Sequence, residues 1–245
     1  MEKFSGALQG LLRRRATRDF VLTQMQSGGT GATSVSLALA GMSGAALAAN
    51  SIDSREEADY VEFELAGRRF KGWFWRFPFA EGDQVEVAGE KIAPAGPSGQ
   101  GGDERWVAYG AHRTADGLVA VYPHSREGTR SHLRSSLKFW AGFALAAYLL
   151  VACLALVMTL FGDSPGRWGR TANALFIYFP PVLLVVFGFL GWRSSVRLKG
   201  FALLAEDIFR AFGWADPPNI DLRKTSQAKR GEKEAGDYGY FFFRY

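Results

Sequence analysis

Three histidines and a single cysteine are the side chains of this 245-residue chain best suited to nucleophilic or metal chemistry. His124 and His132 flank the connector PHSREGTRSHLR (123–134), where Arg126 and Arg130 stand between them. Such a pair can share a ligand, or bind phosphate with the two arginines; the simpler reading is a solvated juxtamembrane connector. Cys153 lies within a long apolar run, where a thiol packs rather than attacks. One thiol and three scattered imidazoles do not make a zinc or iron–sulfur site, and a lone cysteine excludes a disulfide-stapled secreted domain. The chain carries no Gly-x-Ser-x-Gly elbow, Walker-type phosphate loop or His-Glu-x-x-His. The expectation is a non-enzyme with no catalytic, cofactor-binding or metal residues.

A second group suits binding rather than catalysis. Trp73, Trp75, Phe77 and Phe79 alternate at period two, as residues lining one strand face do. With Tyr240 and Phe242 of the aromatic ending YGYFFFRY (238–245), they form the candidate interaction surface, meeting either another part of this chain or a ligand. Their setting reads as β. Residues 60–65 alternate, Ala66-Gly67 makes a turn into FKGWFWRFPF (70–79), and short strands follow at 84–87, 106–109 and 118–122. Five short strands joined by glycine turns predict a small antiparallel β-barrel of the OB or SH3-like kind over 53–123.

Beyond the barrel the chain turns apolar. Residues 139–162 hold no charge over 24 residues, and a second uncharged run covers 171–192. Twenty-four residues make roughly 36 Å of helix, enough for a bilayer core of about 30 Å. The turn formers of GDSPGRWG separate the two runs, which predicts a transmembrane hairpin within 124–195. Pro180-Pro181 should kink the second span. Arg126, Arg130, Arg134 and Lys138 precede the hairpin; Arg193, Arg197 and Lys199 follow it; only Arg167 and Arg170 stand in the loop. The bias places both soluble ends in the cytoplasm, with the flanking basic residues as candidate contacts to lipid headgroups.

The flanks read as helical. Phe4, Leu8, Leu11 and Leu12 suggest an amphipathic helix over residues 1–20, followed by Arg13, Arg14, Arg15 and Arg18. The Ala/Gly/Ser stretch 31–50 fits a secretory signal, a third span, or a marginal helix that docks and inserts conditionally. Leu198, Phe201, Ala205, Ile208, Phe209 and Phe212 form a helical stripe ended by Gly213, suited equally to a bilayer interface and to packing on the barrel. The fold class is therefore an α+β membrane protein: a small antiparallel barrel, a two-helix hairpin and flanking amphipathic helices over 1–52 and 196–245.

Charge excludes one partner class. Residues 53–123 hold eight Lys/Arg against thirteen Asp/Glu, a net of −5, which leaves +10 on the rest of a chain whose total is +5. An acidic barrel is a poor ligand for phosphate backbones, so nucleic acid is not the expected partner; membrane lipid is.

The segments FKGWFWRFPFAEGDQVEVAGE (70–90) and AVYPHSREGTRS (120–131), with the aromatic-Arg-Tyr ending, resemble a group of Gram-negative type VI secretion system effectors over about residues 58–245. In that group a Cys commonly follows the Pro-His pair; here Ser125 does. The resemblance implies a protein of the bacterial inner membrane, partnered by a cognate effector, immunity or secretion-spike protein. Three functions stay open. They are a membrane-acting toxin, which needs several copies because one hairpin cannot line a pore; an immunity or loading protein; and an NfeD-like membrane partner of a quality-control protease.

Overall fold

A computed structural model describes residues 1–18, 56–91, 105–161, 173–231 and 238–245. The chain divides into two units, Met1–Ser131 with Lys199–Tyr245, and His132–Leu198. The first unit is built on an eight-stranded, mainly antiparallel sheet: β1 (Glu2–Ala7), β2 (Gln9–Arg18), β3 (Glu56–Leu65), β4 (Arg68–Phe74), β5 (Gln84–Lys91), β6 (Arg105–Arg113), β7 (Leu118–Val121) and β8 (Phe243–Arg244). The strands run β1-β5-β6-β4-β3-β2, with β7 joining β6 to β8. One edge of β6 is shared, its Arg105–Ala108 half pairing parallel with β4 and its Gly110–Arg113 half antiparallel with β7. Among the described residues no ladder joins β1 to β2, so the sheet is open where a closed barrel was expected.

Strands are present at all five expected places, and the alternation of residues 60–65 is real. On β3, Val61, Phe63 and Leu65 point inward and Tyr60, Glu62 and Glu64 outward. The turn at Ala66-Gly67 has φ of 51° and 72°, the two left-handed residues that match a two-residue hairpin to strand twist. Inside, Phe63, Phe70, Phe77 and Trp106 form one aromatic-rich core with Phe4 and Val87. β7 is buried on both faces: Leu118 and Ala120 enter that core, while Val119 and Val121 enter a second one.

The described part of the expected amphipathic helix, residues 1–18, is not helical. Residues 2–18 form β1 and β2, because backbone and carboxylates elsewhere satisfy them better than a helix would. β1 pairs β5, and β2 pairs β3 with Arg15 opposite Asp59 and Arg18 opposite Glu56. Between them Leu8 exchanges backbone hydrogen bonds with Gly82 and Asp83, and the Glu81 carboxylate accepts from the Gly10 and Leu11 amides at 2.7 and 2.8 Å. The charge picture changes with this. Residues 1–18 carry five basic groups and one acidic group, so adding them to 53–123 moves the net from −5 to −1. The arginines of β2 run along an acidic strand, with Arg15 paired to Glu57 and Asp59. The Ala/Gly/Ser stretch 31–50 and the loop arginines 167 and 170 lie outside the described residues.

Two long helices are described: α1 (Thr129–Phe161) and α2 (Phe179–Ala211), the latter preceded by a π-helical turn, Ala174–Tyr178. The stripe expected past the membrane is the continuous end of α2 and packs on the sheet. Leu204, Ala205, Ile208, Phe209 and Phe212 share the second core with Val119, Val121, Ala88 and Phe243. Gly213 closes the helix at φ 76°, with Gly213 N donating to Arg210 O and Trp214 N to Phe209 O. A short helix, α3 (Leu222–Ala228), is capped by Asp221, which accepts from the Arg223 and Lys224 amides. The aromatic ending adds β8 against β7, and the Tyr245 ring stacks on Trp214 at 3.8 Å.

His112 of β6 is packed against the Phe212 and Trp214 rings. Burial pulls its pKa below the usual value, against the Glu86 carboxylate 3.5 Å away, which raises it. A depressed folded pKa means that the unfolded chain protonates first. The stability His112 contributes is therefore present above its unfolded pKa of about 6.5 and is lost as the pH falls through the folded value. His112→Gln should flatten that part of a stability-against-pH curve measured by urea unfolding. An unchanged slope would mean that His112 is not the group titrating.

Candidate functional site

Two features have the makings of a site, one in each unit. The first is the pair of helical segments Thr129–Met158 and Leu175–Arg193, each long and apolar enough to cross a membrane by length and composition. Their side chains face outward: Leu150, Leu184 and Val185 are 63, 71 and 72% exposed. Within the hairpin unit Trp140 lies over Gly191, where an added Cβ would meet the indole Cδ1 at 3.2 Å, and Tyr148 stacks on Phe179 at 6.4 Å. The π-helical turn immediately precedes Pro180-Pro181. A proline ring crowds the carbonyl four residues back, here Phe176 and Ile177, and widening the turn relieves that contact.

Of the basic residues expected at headgroup level, Arg130, Arg134, Lys138, Arg193 and Lys199 are exposed. Arg126 is half-buried against Glu127 at 3.3 Å, and Arg197 lies in α2, its side chain outside the described residues. The 123–128 connector is not a solvated strap. Leu222 N donates to Arg126 O, and Gly128 N donates to Ile220 O. His124, at φ 67°, meets Glu56 Oε2 at 2.9 Å and the Trp75 ring edge-on at 5.1 Å. Ser125, standing where the resembling group has Cys, is fully buried. Just beyond, the buried Glu206 of α2 accepts from the Thr129 amide at 2.9 Å and from its hydroxyl, and takes the Arg210 guanidinium at 2.6 Å. A carboxylate at that amide caps the start of α1.

The second feature is where the aromatic candidates end up. β4 stops at Phe74, so residues 70–79 are not one strand. Pro78 has no amide to donate, and side chains take over from the ladder at Phe77: its N–H donates to Asp59 Oδ2 at 2.9 Å, and its carbonyl accepts from Arg13 Nη1 at 2.8 Å. The six expected surface aromatics therefore part company. Phe77 and Phe79 are core at 1 and 2% exposure. Trp73 tilts against its cross-strand neighbour Tyr60 on the outer face, and Trp75 packs on His124 and Phe241. Tyr240 is exposed beneath the Arg223 guanidinium, and Phe242 is half-buried.

What the fold does bring together is Phe77, Pro78 and Phe242 with Arg13, Arg15, Arg76 and Asp59, around a cavity of about 400 Å³. Arg13 and Arg15 share a side of β2 because they are two residues apart. Arg15 bonds Asp59 Oδ1 at 3.0 Å and Glu57 Oε2 at 3.2 Å. Burial would lower the Arg15 pKa, but the hydrogen bonds to Glu57 and Asp59 outweigh it, and the group is held above its ordinary value. Sequence reasoning misses this basic pocket because an Arg-x-Arg pattern on a strand is visible only once the strand is recognised. No group of three or more His, Cys, Asp and Glu side chains is placed to hold a metal among the described residues. No known family, curated protein or solved structure matches the chain.

Proposed function

We propose that the protein acts in the bacterial inner membrane without catalytic chemistry, as a membrane-targeted effector associated with type VI secretion. The observation that carries the membrane half of this reading is the hairpin's outward apolar surface, which only lipid or another apolar partner can cover. Neither uncharged run contains Asp, Glu, Lys, Arg or His, so the helices offer no obvious carrier for a proton or ion relay. The effector half rests on the likeness of 70–90 and 120–131 to that group, and it requires several copies acting together. The same lack of charged groups favours a second reading, in which the hairpin is a plain anchor and the protein confers immunity or loads an effector.

Expression of the full chain in a susceptible cell separates the two. The toxin reading expects loss of membrane potential and growth that depends on residues 139–192. Healthy cells that survive a neighbouring toxin only when this chain is present would replace it with the immunity reading. Insertion has its own test. Leu150→Arg puts a charge on the lipid-facing side of α1 at a cost of about 3 kcal/mol in mid-span, and should move the protein from the carbonate-resistant membrane fraction toward the soluble or degraded pool. A variant that stays fully membrane-resistant would show that α1 does not span there.

A further inference from the structure

We propose that the arginine-lined cavity beside β2 binds a phosphate group. Three guanidiniums, from Arg13, Arg15 and Arg76, line it with a single carboxylate, Asp59. That carboxylate is already committed, Oδ1 to Arg15 and Oδ2 to the Phe77 amide. Arg15 is matched by Asp59 and Glu57, so the charge offered to the roughly −2 of a phosphate monoester near neutral pH is centred on Arg13. Arg15 is the structural member, saturated by Asp59 and Glu57. Arg13 is the receiving member: one N–H is pinned to the Phe77 carbonyl, which orients the guanidinium and leaves the rest of its fork for a ligand. A planar fork of that kind suits two phosphate oxygens, and Phe77 and Phe242 line the cavity beside it. At about 400 Å³ the cavity is larger than a bare phosphate needs and falls in the range of small-ligand pockets, so it has room for an organic substituent. That substituent belongs either to a soluble phosphomonoester or to a phospholipid headgroup. The proposal goes beyond the membrane reading and does not depend on it, since neither arm of the test requires the hairpin to span.

The test uses the full chain in an uncharged detergent, titrated with inorganic phosphate against sodium chloride at matched ionic strength and followed by tryptophan fluorescence. Phosphate should give a saturable change that chloride does not. Arg13→Gln should weaken it about tenfold, with Arg13→Lys in between, because the charge survives and the fork is lost. Thermal melting without phosphate checks that each variant folds, and Arg76→Gln serves if Arg13→Gln does not. Micelles doped with phosphatidic acid then identify the source: displacement of phosphate in the wild type, weakened in Arg13→Gln, assigns a lipid headgroup, whereas no displacement assigns a soluble phosphate. Phosphate acting no differently from chloride, or binding both glutamine variants like the wild type, would overturn the proposal and leave the membrane reading untouched.

Discussion

Asp59→Ala should destabilise the sheet unit by about 3 kcal/mol, the cost of stranding buried donors. Asp59 is 4% exposed and its two oxygens serve different parts of the fold, Arg15 of β2 and the amide of Phe77. Removing the carboxylate leaves the Phe77 N–H without an acceptor and frees the 75–79 segment from β3. Arg15→Ala should cost less, about 1 kcal/mol, because its side chain is a third exposed and Asp59 keeps the Phe77 amide. Urea unfolding of the detergent-solubilised chain, followed by tryptophan fluorescence, measures both. The order of the two is the sharp part of the prediction. If Arg15→Ala proves the more damaging, the ion pair rather than the Phe77 amide is what Asp59 supports. Because the same carboxylate holds the floor of the arginine-lined cavity, Asp59→Ala should also abolish phosphate-dependent fluorescence.

Gly110→Val should be of similar size, at about 3 kcal/mol, but through overpacking. A Cβ at Gly110 would lie 2.6 Å from Ile208 Cγ2 and 3.2 Å from the Phe212 ring, where the end of α2 presses on β6. Space is the whole cost here, since the residue is not at a positive φ. Shortening the opposing side chain should then recover part of it. Gly110→Val with Ile208→Ala ought to be less destabilised than the two single variants summed, by about 1 kcal/mol in a double-mutant cycle. Strict additivity would mean that the helix does not rest on Gly110, and so would a mild loss in the single variant.

These two sites differ in how far the sequence could lead to them. The α2 stripe of Ile208, Phe209 and Phe212 is legible as an amphipathic helix, and Gly213 as its end, because period and capping are local properties. That the stripe covers β6 and β7 rather than a bilayer surface is not local. Both surfaces are apolar, and only the shape of Gly110 facing Ile208 distinguishes them. At Asp59 the alternation of β3 is readable, yet its partners Arg15 and Phe77 lie 44 and 18 residues away. The N-terminal strands show the same limit more sharply. Phe4, Leu8, Leu11 and Leu12 have helical spacing, but the backbone there finds β5, β3 and the Glu81 carboxylate, and long-range pairing overrides local propensity.

By itself the sequence determined two long uncharged runs, the strands between 56 and 121 and the helix end at Gly213, all of which follow from composition and periodicity over a few turns. Only the tertiary structure decided where the arginines of β2 go. A charge pattern states how much charge there is but not what faces it, and register across strands sets that. Most of the acidic excess of the strand domain is cancelled when β2 joins β3, and beside them lies a cavity where three guanidiniums meet the Asp59 carboxylate.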